Sequence, residues 1–130
     1  MDIIKIDETQ IVDAIDLIWT TFLQFDAPDY SEEGIQSFKD FIESKEIIST
    51  LEFWGAYDGP KLKGVIATNE NRKHICCFFV KAEYHRQRIG RRLWEYLLKN
   101  SQSEIITVHS SPYAVPVYHK LGFVDTDTEQ

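Results

Sequence analysis

Val80-Lys81-Ala82-Glu83-Tyr84-His85-Arg86-Gln87-Arg88-Ile89-Gly90-Arg91-Arg92-Leu93-Trp94 takes an apolar run to its end, passes through a basic turn and starts an amphipathic helix. Backbone N–H groups in the first turn of a helix have no partner within it, and the aligned peptide dipoles add partial positive charge at that end. A segment so built is a seat for a phosphate ester. Upstream, Ile75, Cys76, Cys77, Phe78, Phe79 and Val80 read as a buried strand feeding the turn. Downstream, Ile89, Leu93 and Leu97, with Tyr96, recur at helical spacing on one face. Gly90 lets a ligand approach the backbone closely. Five of the 14 Lys and Arg residues, Lys81, Arg86, Arg88, Arg91 and Arg92, crowd this segment of a chain whose net charge is -7. The positive charge is local. Such charges also occur as a plain solvated face, and a second segment weighs between the two readings.

At Ser110-Ser111-Pro112-Tyr113-Ala114-Val115-Pro116-Val117-Tyr118-His119-Lys120-Leu121-Gly122-Phe123 the pattern is a short helix that exits at Gly122 and resumes as extended chain. Together the two segments resemble the GNAT superfamily of acetyl-CoA-dependent N-acyltransferases. The family's turn, Gln/Arg-x-x-Gly-x-Gly/Ala, falls on His85, Arg88 and Gly90, of which only Gly90 keeps the family residue. The downstream pattern Asn-x-x-Ala-x-x-x-Tyr-x-Lys-x-Gly-Phe falls on Ser111, Ala114, Tyr118, Lys120, Gly122 and Phe123, with Ser in place of Asn, and is the more specific match. Phe53-Trp54-Gly55-Ala56-Tyr57-Asp58-Gly59 followed by Leu62-Lys63-Gly64-Val65-Ile66-Ala67 also looks like the family's central hairpin, so the likeness spans most of the chain.

Length and composition agree with one compact enzyme domain over residues 1–130: 43% hydrophobic and 13% aromatic residues suffice for one core and not two. No apolar run approaches the roughly 20 residues needed to span a bilayer, and Met1-Asp2-Ile3-Ile4-Lys5 lacks the basic-then-apolar plan of a signal peptide, so the expectation is a cytoplasmic protein without a membrane partner. Cys76 and Cys77, the only cysteines, are adjacent in a predicted strand. They offer neither a structural disulfide nor a four-ligand zinc site, and no metal is expected. Net charge -7 and a sequence pI near 5.0 argue against a nucleic-acid partner, whose nonspecific affinity depends on many Lys and Arg contacts.

Periodicity places a first strand at Ile3, Ile4 and Ile6, then a helix with Ile11, Ile15, Ile18, Phe22 and Phe25 on one stripe. Ala27-Pro28-Asp29-Tyr30 breaks it, and Ser31 caps a second helix with Ile35, Phe38 and Ile42 inward. Strands near 50 to 57 and 62 to 69 flank the turn Asp58-Gly59-Pro60, and 74 to 80 make the central strand. A helix from about 88 to 100, a strand at Ile105 to His109, a short helix near 113 to 120 and a final segment from Phe123 complete the order. Mixed order of this kind argues for an α/β or α+β sandwich. The resemblance makes it a GNAT-like fold: a mixed, mainly antiparallel sheet with splayed central strands and helices on both faces. Only Val124 to Gln130 follow the Gly-Phe pair, mostly polar, so the family's usual last strand is expected to be missing. The sheet edge is then open to pairing in a homodimer.

The resemblance also implies roles. Acetyl-CoA would lie in the splay with its pantetheine arm paired to the backbone of Phe78, Phe79 and Val80. Its pyrophosphate would meet His85, Arg86, Gln87, Arg88, Ile89, Gly90 and Arg91, with Ser111 at the Asn position. Arg88, where the family has Gly, would bear strain of about 1–2 kcal/mol if its φ is positive, and its planar fork can donate to phosphate oxygens. Tyr118 is the catalytic candidate: a Tyr with pKa about 10 stays protonated at neutral pH and can supply the departing thiolate with a proton. The competing reading, given less weight, is a core aromatic packed by Val117 and Leu121. The amine must lose a proton first, and His74, His119 and Glu52 are equal candidates for the base. Asp26, Asp29, Glu32 and Glu33 would rim the acceptor cleft or merely complement a helix start. A small amine, a polyamine, an aminoglycoside or a peptide lysine all suit. Direct transfer is expected, since neither cysteine has an activating partner. The alternatives are a GNAT-like domain that binds acyl-CoA without turnover, as a sensor or interaction module, and a nucleic-acid module using the basic helix.

Overall fold

The computed structural model describes residues 1–70, 72–101, 105–108 and 112–124. The chain runs β1 (Asp2–Lys5), α1 (Ile11–Phe25), α2 (Glu32–Glu43), α3 (Lys45–Ile48), β2 (Glu52–Asp58), β3 (Lys61–Thr68), β4 (His74–Val80), α4 (Ile89–Asn100), β5 (Thr107–Val108) and α5 (Val115–Lys120). Short 3-10 turns occupy Ala27–Asp29, Ala82–Tyr84 and Pro112–Ala114. The strands form one sheet in the order β1-β2-β3-β4-β5, antiparallel except for the parallel β4–β5 pair. This is the expected mixed, mainly antiparallel arrangement.

Composition predicts one core and not two, but strand alternation sends side chains to both faces of the sheet, and each face carries its own core within the single sheet. On one, Phe53 and Tyr57 of β2, Leu62, Val65 and Ala67 of β3 and Cys77 of β4 pack with Ala14, Leu17 and Ile18 of α1 and Ile42 of α2. On the other, Trp54, Ala56, Ile66 and Ile75 pack with Ile89, Leu93, Trp94 and Leu97 of α4. Gly64 permits that second layer to close: a Cβ there would stand 3.2 Å from Ile89, Leu93 and Val80 at once. Helix starts follow their sequence signals. Ser31 Oγ accepts the Gly34 amide at 3.0 Å and opens α2, and Ser44 Oγ accepts the Ile47 amide at 3.2 Å and opens α3, a turn of helix that the sequence pattern did not reveal.

One irregularity positions the site. Ala67 pairs with Cys77 but Thr68 pairs with Ile75, so Cys76 is an extra residue on β4. A bulge of this kind bends its strand and flips the facing side chains. It explains why Ile75 and Phe78 share a face while Cys77 lies on the other. Pairing with β5 ends at the same point, at Ile75 with Val108. Beyond it β4 has no strand on that edge among the described residues, and the sheet splays. Of the strand expected at Ile105 to His109, Thr107–Val108 is strand, residues 105–106 are not, and His109 lies outside the described residues. Residues 125–130, on which the expectation of a missing last strand and an open edge rests, lie outside the described residues.

Candidate active site

The basic turn takes the conformation its composition opposes. Arg86 and Arg88 both have φ of 66°, the left-handed region that an L side chain enters at about 1–2 kcal/mol. Arg88 precedes the first helical residue, and no side chain caps the helix. The first backbone bond of α4 runs from the Arg92 amide to the Arg88 carbonyl at 3.0 Å. The amides of Ile89, Gly90 and Arg91 thus have no helical partner, and these three residues line a cleft of about 500 Å³ between the splayed strands. His85, Arg86 and Arg88 line it too, whereas Gln87 does not: between two left-handed residues it faces solvent. Arg91 donates to the Lys120 carbonyl at 3.0 Å, tying α4 to the end of α5. Ser111 lies outside the described residues.

The floor of the cleft is the edge of β4 that, beyond Ile75, no strand among the described residues covers. Lys81 N–H donates to the Lys63 carbonyl at 3.0 Å, which makes Gly64 and Val80 a pair that exchanges no bonds. In an antiparallel ladder such pairs alternate with bonded ones, so Phe78 and Val80 turn their N–H and C=O toward the open edge while Phe79 spends its own on Val65. The expected three-residue pairing edge is therefore Phe78 and Val80, with Phe79 contributing its side chain to the cleft. The Val80 carbonyl accepts from His85 Nε2 at 2.7 Å, which fixes the imidazole proton on that nitrogen, and the ring lies 4.9 Å from Phe25.

Tyr118 projects from α5 into the same cleft and is only 8% exposed, against Phe78 at 6.0 Å and Phe123 at 5.3 Å between ring centroids. Burial pushes its hydroxyl well above the usual phenol range, and the charge of Asp26 pushes it further. Tyr30 is raised by the same two causes in the same order. Asp26, at the end of α1, is buried and lines the cleft with Thr21, Phe22, Phe25, Tyr30 and Phe38. Of the other acids expected at the rim, Asp29, Glu32 and Glu33 are exposed, and the two glutamates sit in the first turn of α2. None of the three lines the cleft. The candidate bases are elsewhere as well. His74 Nδ1 bonds Thr107 Oγ1 at 2.8 Å, Glu52 pairs with Arg72 at 2.7 Å and with Lys5 at 3.8 Å, and His119 is exposed. Thr21, Asp26 and Tyr30 were not singled out together because 88 to 97 residues of chain separate them from Tyr118. The helix break at Ala27-Pro28 was the only local sign of them.

A sheet opened beside its fourth strand, with an uncapped helix start at the gap, makes this a mixed α/β fold whose cleft is suited to an anionic ligand. Residues 26–130 match the family model described as an acetyltransferase (GNAT) domain, and the chain belongs to that family. Among solved structures it is similar to a GCN5-related N-acetyltransferase from Rhodopseudomonas palustris, at 19% identity and TM-score 0.84, over 97% of this chain and 82% of that one. It is also similar to the PaiA N-acetyltransferase from Thermoplasma acidophilum in complex with coenzyme A, at 23% identity and TM-score 0.78, over 98% and 92%. An acetyltransferase from Clostridium acetobutylicum, described as predicted and solved with acetyl-CoA, aligns at 18% identity and TM-score 0.71, over 99% and 93%. At these identities the likeness is one of fold. Among curated proteins none matches the chain.

Proposed function

We propose that residues 1–130 act as a single cytoplasmic N-acetyltransferase unit that moves an acetyl group from acetyl-CoA to a primary amine by direct transfer in a ternary complex. The observation that carries this reading is the meeting, in one cleft, of unengaged helix-start amides, a free strand edge and a buried phenol that keeps its proton. The residues present fit the co-substrate. Amides of Ile89, Gly90 and Arg91 suit phosphate oxygens, Arg86 and Arg88 add charge beside them, and the open N–H and C=O of Phe78 suit an amide-bearing arm. Acetyl-CoA, when bound, supplies a thioester activated toward amines. Tyr118 then holds a proton where the sulfur must leave, and its raised pKa keeps that proton in place across the physiological range. Phe22, Phe38 and Phe79 keep water from the reacting groups. Cys76 and Cys77 line the cleft, but burial raises both thiols above their ordinary value, so they are poor nucleophiles, which supports direct transfer over an acyl-enzyme. Among the described residues no helix is long and apolar enough to cross a membrane.

Calorimetric titration of acetyl-CoA tests the reading. Wild-type protein is expected to bind, and Gly90→Trp to lose binding while staying folded. A Cβ at Gly90 would meet Phe78 at 3.6 Å and Val80 at 3.8 Å, ordinary contact, whereas an indole would cover the amides. Absence of wild-type binding would sink the enzyme reading. Binding without transfer to any amine would leave a sensor of acyl-CoA.

A further inference from the structure

We propose that the α1–α2 side of the cleft selects a primary amine with one positive charge on an apolar, arene-sized body, with Asp26 receiving the ammonium and the Thr21 hydroxyl oxygen accepting a second hydrogen bond from it. The proposal rests on the N-acetyltransferase reading and narrows its acceptor.

Thr21 is 3% exposed, and its Oγ1 has no hydrogen-bond partner among the described residues. A helical threonine can return its hydroxyl to the carbonyl one turn back, and this one does not. Buried polar groups left unpaired are rare, and one in the wall of a cleft marks a place for a ligand's polar atom. Asp26 follows Thr21 by five residues, caps the C-terminal end of α1 and is 9% exposed, and both residues line the cleft.

Charge counting narrows the acceptor. Among the described residues lining the cleft, Asp26 is the only carboxylate. The remaining charges there, Arg86, Arg88, Arg91 and Lys120, are all positive. A polycation would place its further charges either against those cations or on aromatic rings. The rings are continuous: Phe22 stacks on Phe38 at 4.1 Å between centroids, meets Tyr30 edge-on at 5.2 Å, and Phe38 meets Phe79 at 6.1 Å. Faces and edges of this kind accept an apolar body and favour a single ammonium beside them. Tyr118 lines the same cleft as Asp26, so an amine held at Asp26 shares the cavity with the proton source.

The test compares 2-phenylethylamine with spermidine as acceptors, following thiol release, in wild type, Asp26→Asn and Thr21→Val, with acetyl-CoA affinity measured by calorimetry on each. Phenylethylamine is expected to have the higher kcat/KM by at least tenfold. Asp26→Asn is expected to raise its KM at least tenfold and Thr21→Val severalfold, with acetyl-CoA affinity unchanged in both, which also certifies the fold. Equal or better use of spermidine by wild type overturns the proposal without any variant. So does an unchanged KM in Asp26→Asn. In those cases intact acetyl-CoA binding and turnover would leave the N-acetyltransferase reading standing, whereas loss of acetyl-CoA binding by wild type would remove both.

Discussion

The two ends of the cleft are made of different material. At the start of α4 the groups facing the gap are peptide amides, set by two left-handed arginines and a glycine, and the nearby side chains of Arg86 and Arg88 are exposed. At the α1–α2 end the groups are side chains, Thr21 and Asp26, and Tyr118 reaches the same cleft from α5, all three nine-tenths buried and brought from separate parts of the chain. A backbone-built end needs only local chain direction. A side-chain-built end needs the tertiary packing of α1, the turn before α2, and α5 to be right at once.

If that contrast is sound, chemistry and cofactor affinity separate by position, and the following changes, in falling order of effect, strain it. Tyr118→Phe is expected to lower kcat by about 10²-fold while leaving acetyl-CoA affinity unchanged, because a positioned proton donor contributes on that scale. Steady-state rates beside calorimetry decide it, and a parallel loss in both would merge the two ends. Leu93→Ala, at a fully buried position under α4, is expected to cost about 2–5 kcal/mol in urea denaturation, since the supporting core cannot close over the missing atoms. Arg88→Gly relieves about 1–2 kcal/mol of left-handed strain, against about 0.5–1 kcal/mol of added chain entropy in the unfolded state. The expected net gain is about 0.5–1 kcal/mol, with acetyl-CoA affinity falling less than tenfold because the amides remain. A larger affinity loss would make the side chain, not the backbone, the anchor.

The smallest effect is alkaline. Cys76 and Cys77 are raised above 9.0 by burial, and Tyr30 and Tyr118 above 10.0 by burial and then by Asp26. A group whose folded pKa is raised contributes stability that is whole below its unfolded value and lost as pH climbs toward the folded one. The melting temperature is therefore expected to be insensitive to these groups up to about pH 9, then to fall, thiols first and phenols after. Tyr118→Phe should soften the later part of that fall. An unchanged slope would mean the phenol is wet in solution.

Much of the backbone-built end was legible from residues alone. An apolar run, a basic turn and a helical stripe fixed β4 at His74–Val80 and α4 to within one residue, and Ser31 announced α2 through its cap. The resemblance to the family brought Tyr118 to the cleft. What stayed hidden depended on long-range packing or on exceptions to local rules. The bulge at Cys76 follows from β3's register, which no pattern within β4 displays. Phe79 looked equivalent to its neighbours until alternate pairing turned its peptide groups toward Val65. Asp26 looked like one more acid in a polar loop, and only the fold buries it while leaving Asp29, Glu32 and Glu33 in water. Gln87 shares the turn's composition but not its wall, because two positive φ angles flank it.

The amides at the start of α4 carry a consequence for how such a chain can change over time. Every residue except proline brings the same N–H, so substitution along the turn alters the decoration and leaves the donors intact. Arg88 can stand in the turn at the cost of some strain and His85 at none, and a likeness of 0.84 in TM-score persists at 19% identity. Thr21 and Asp26 have no such insurance: one exchange there removes the group itself. Mutational drift is thus cheap where the cleft is built from peptide groups and expensive where it is built from single side chains.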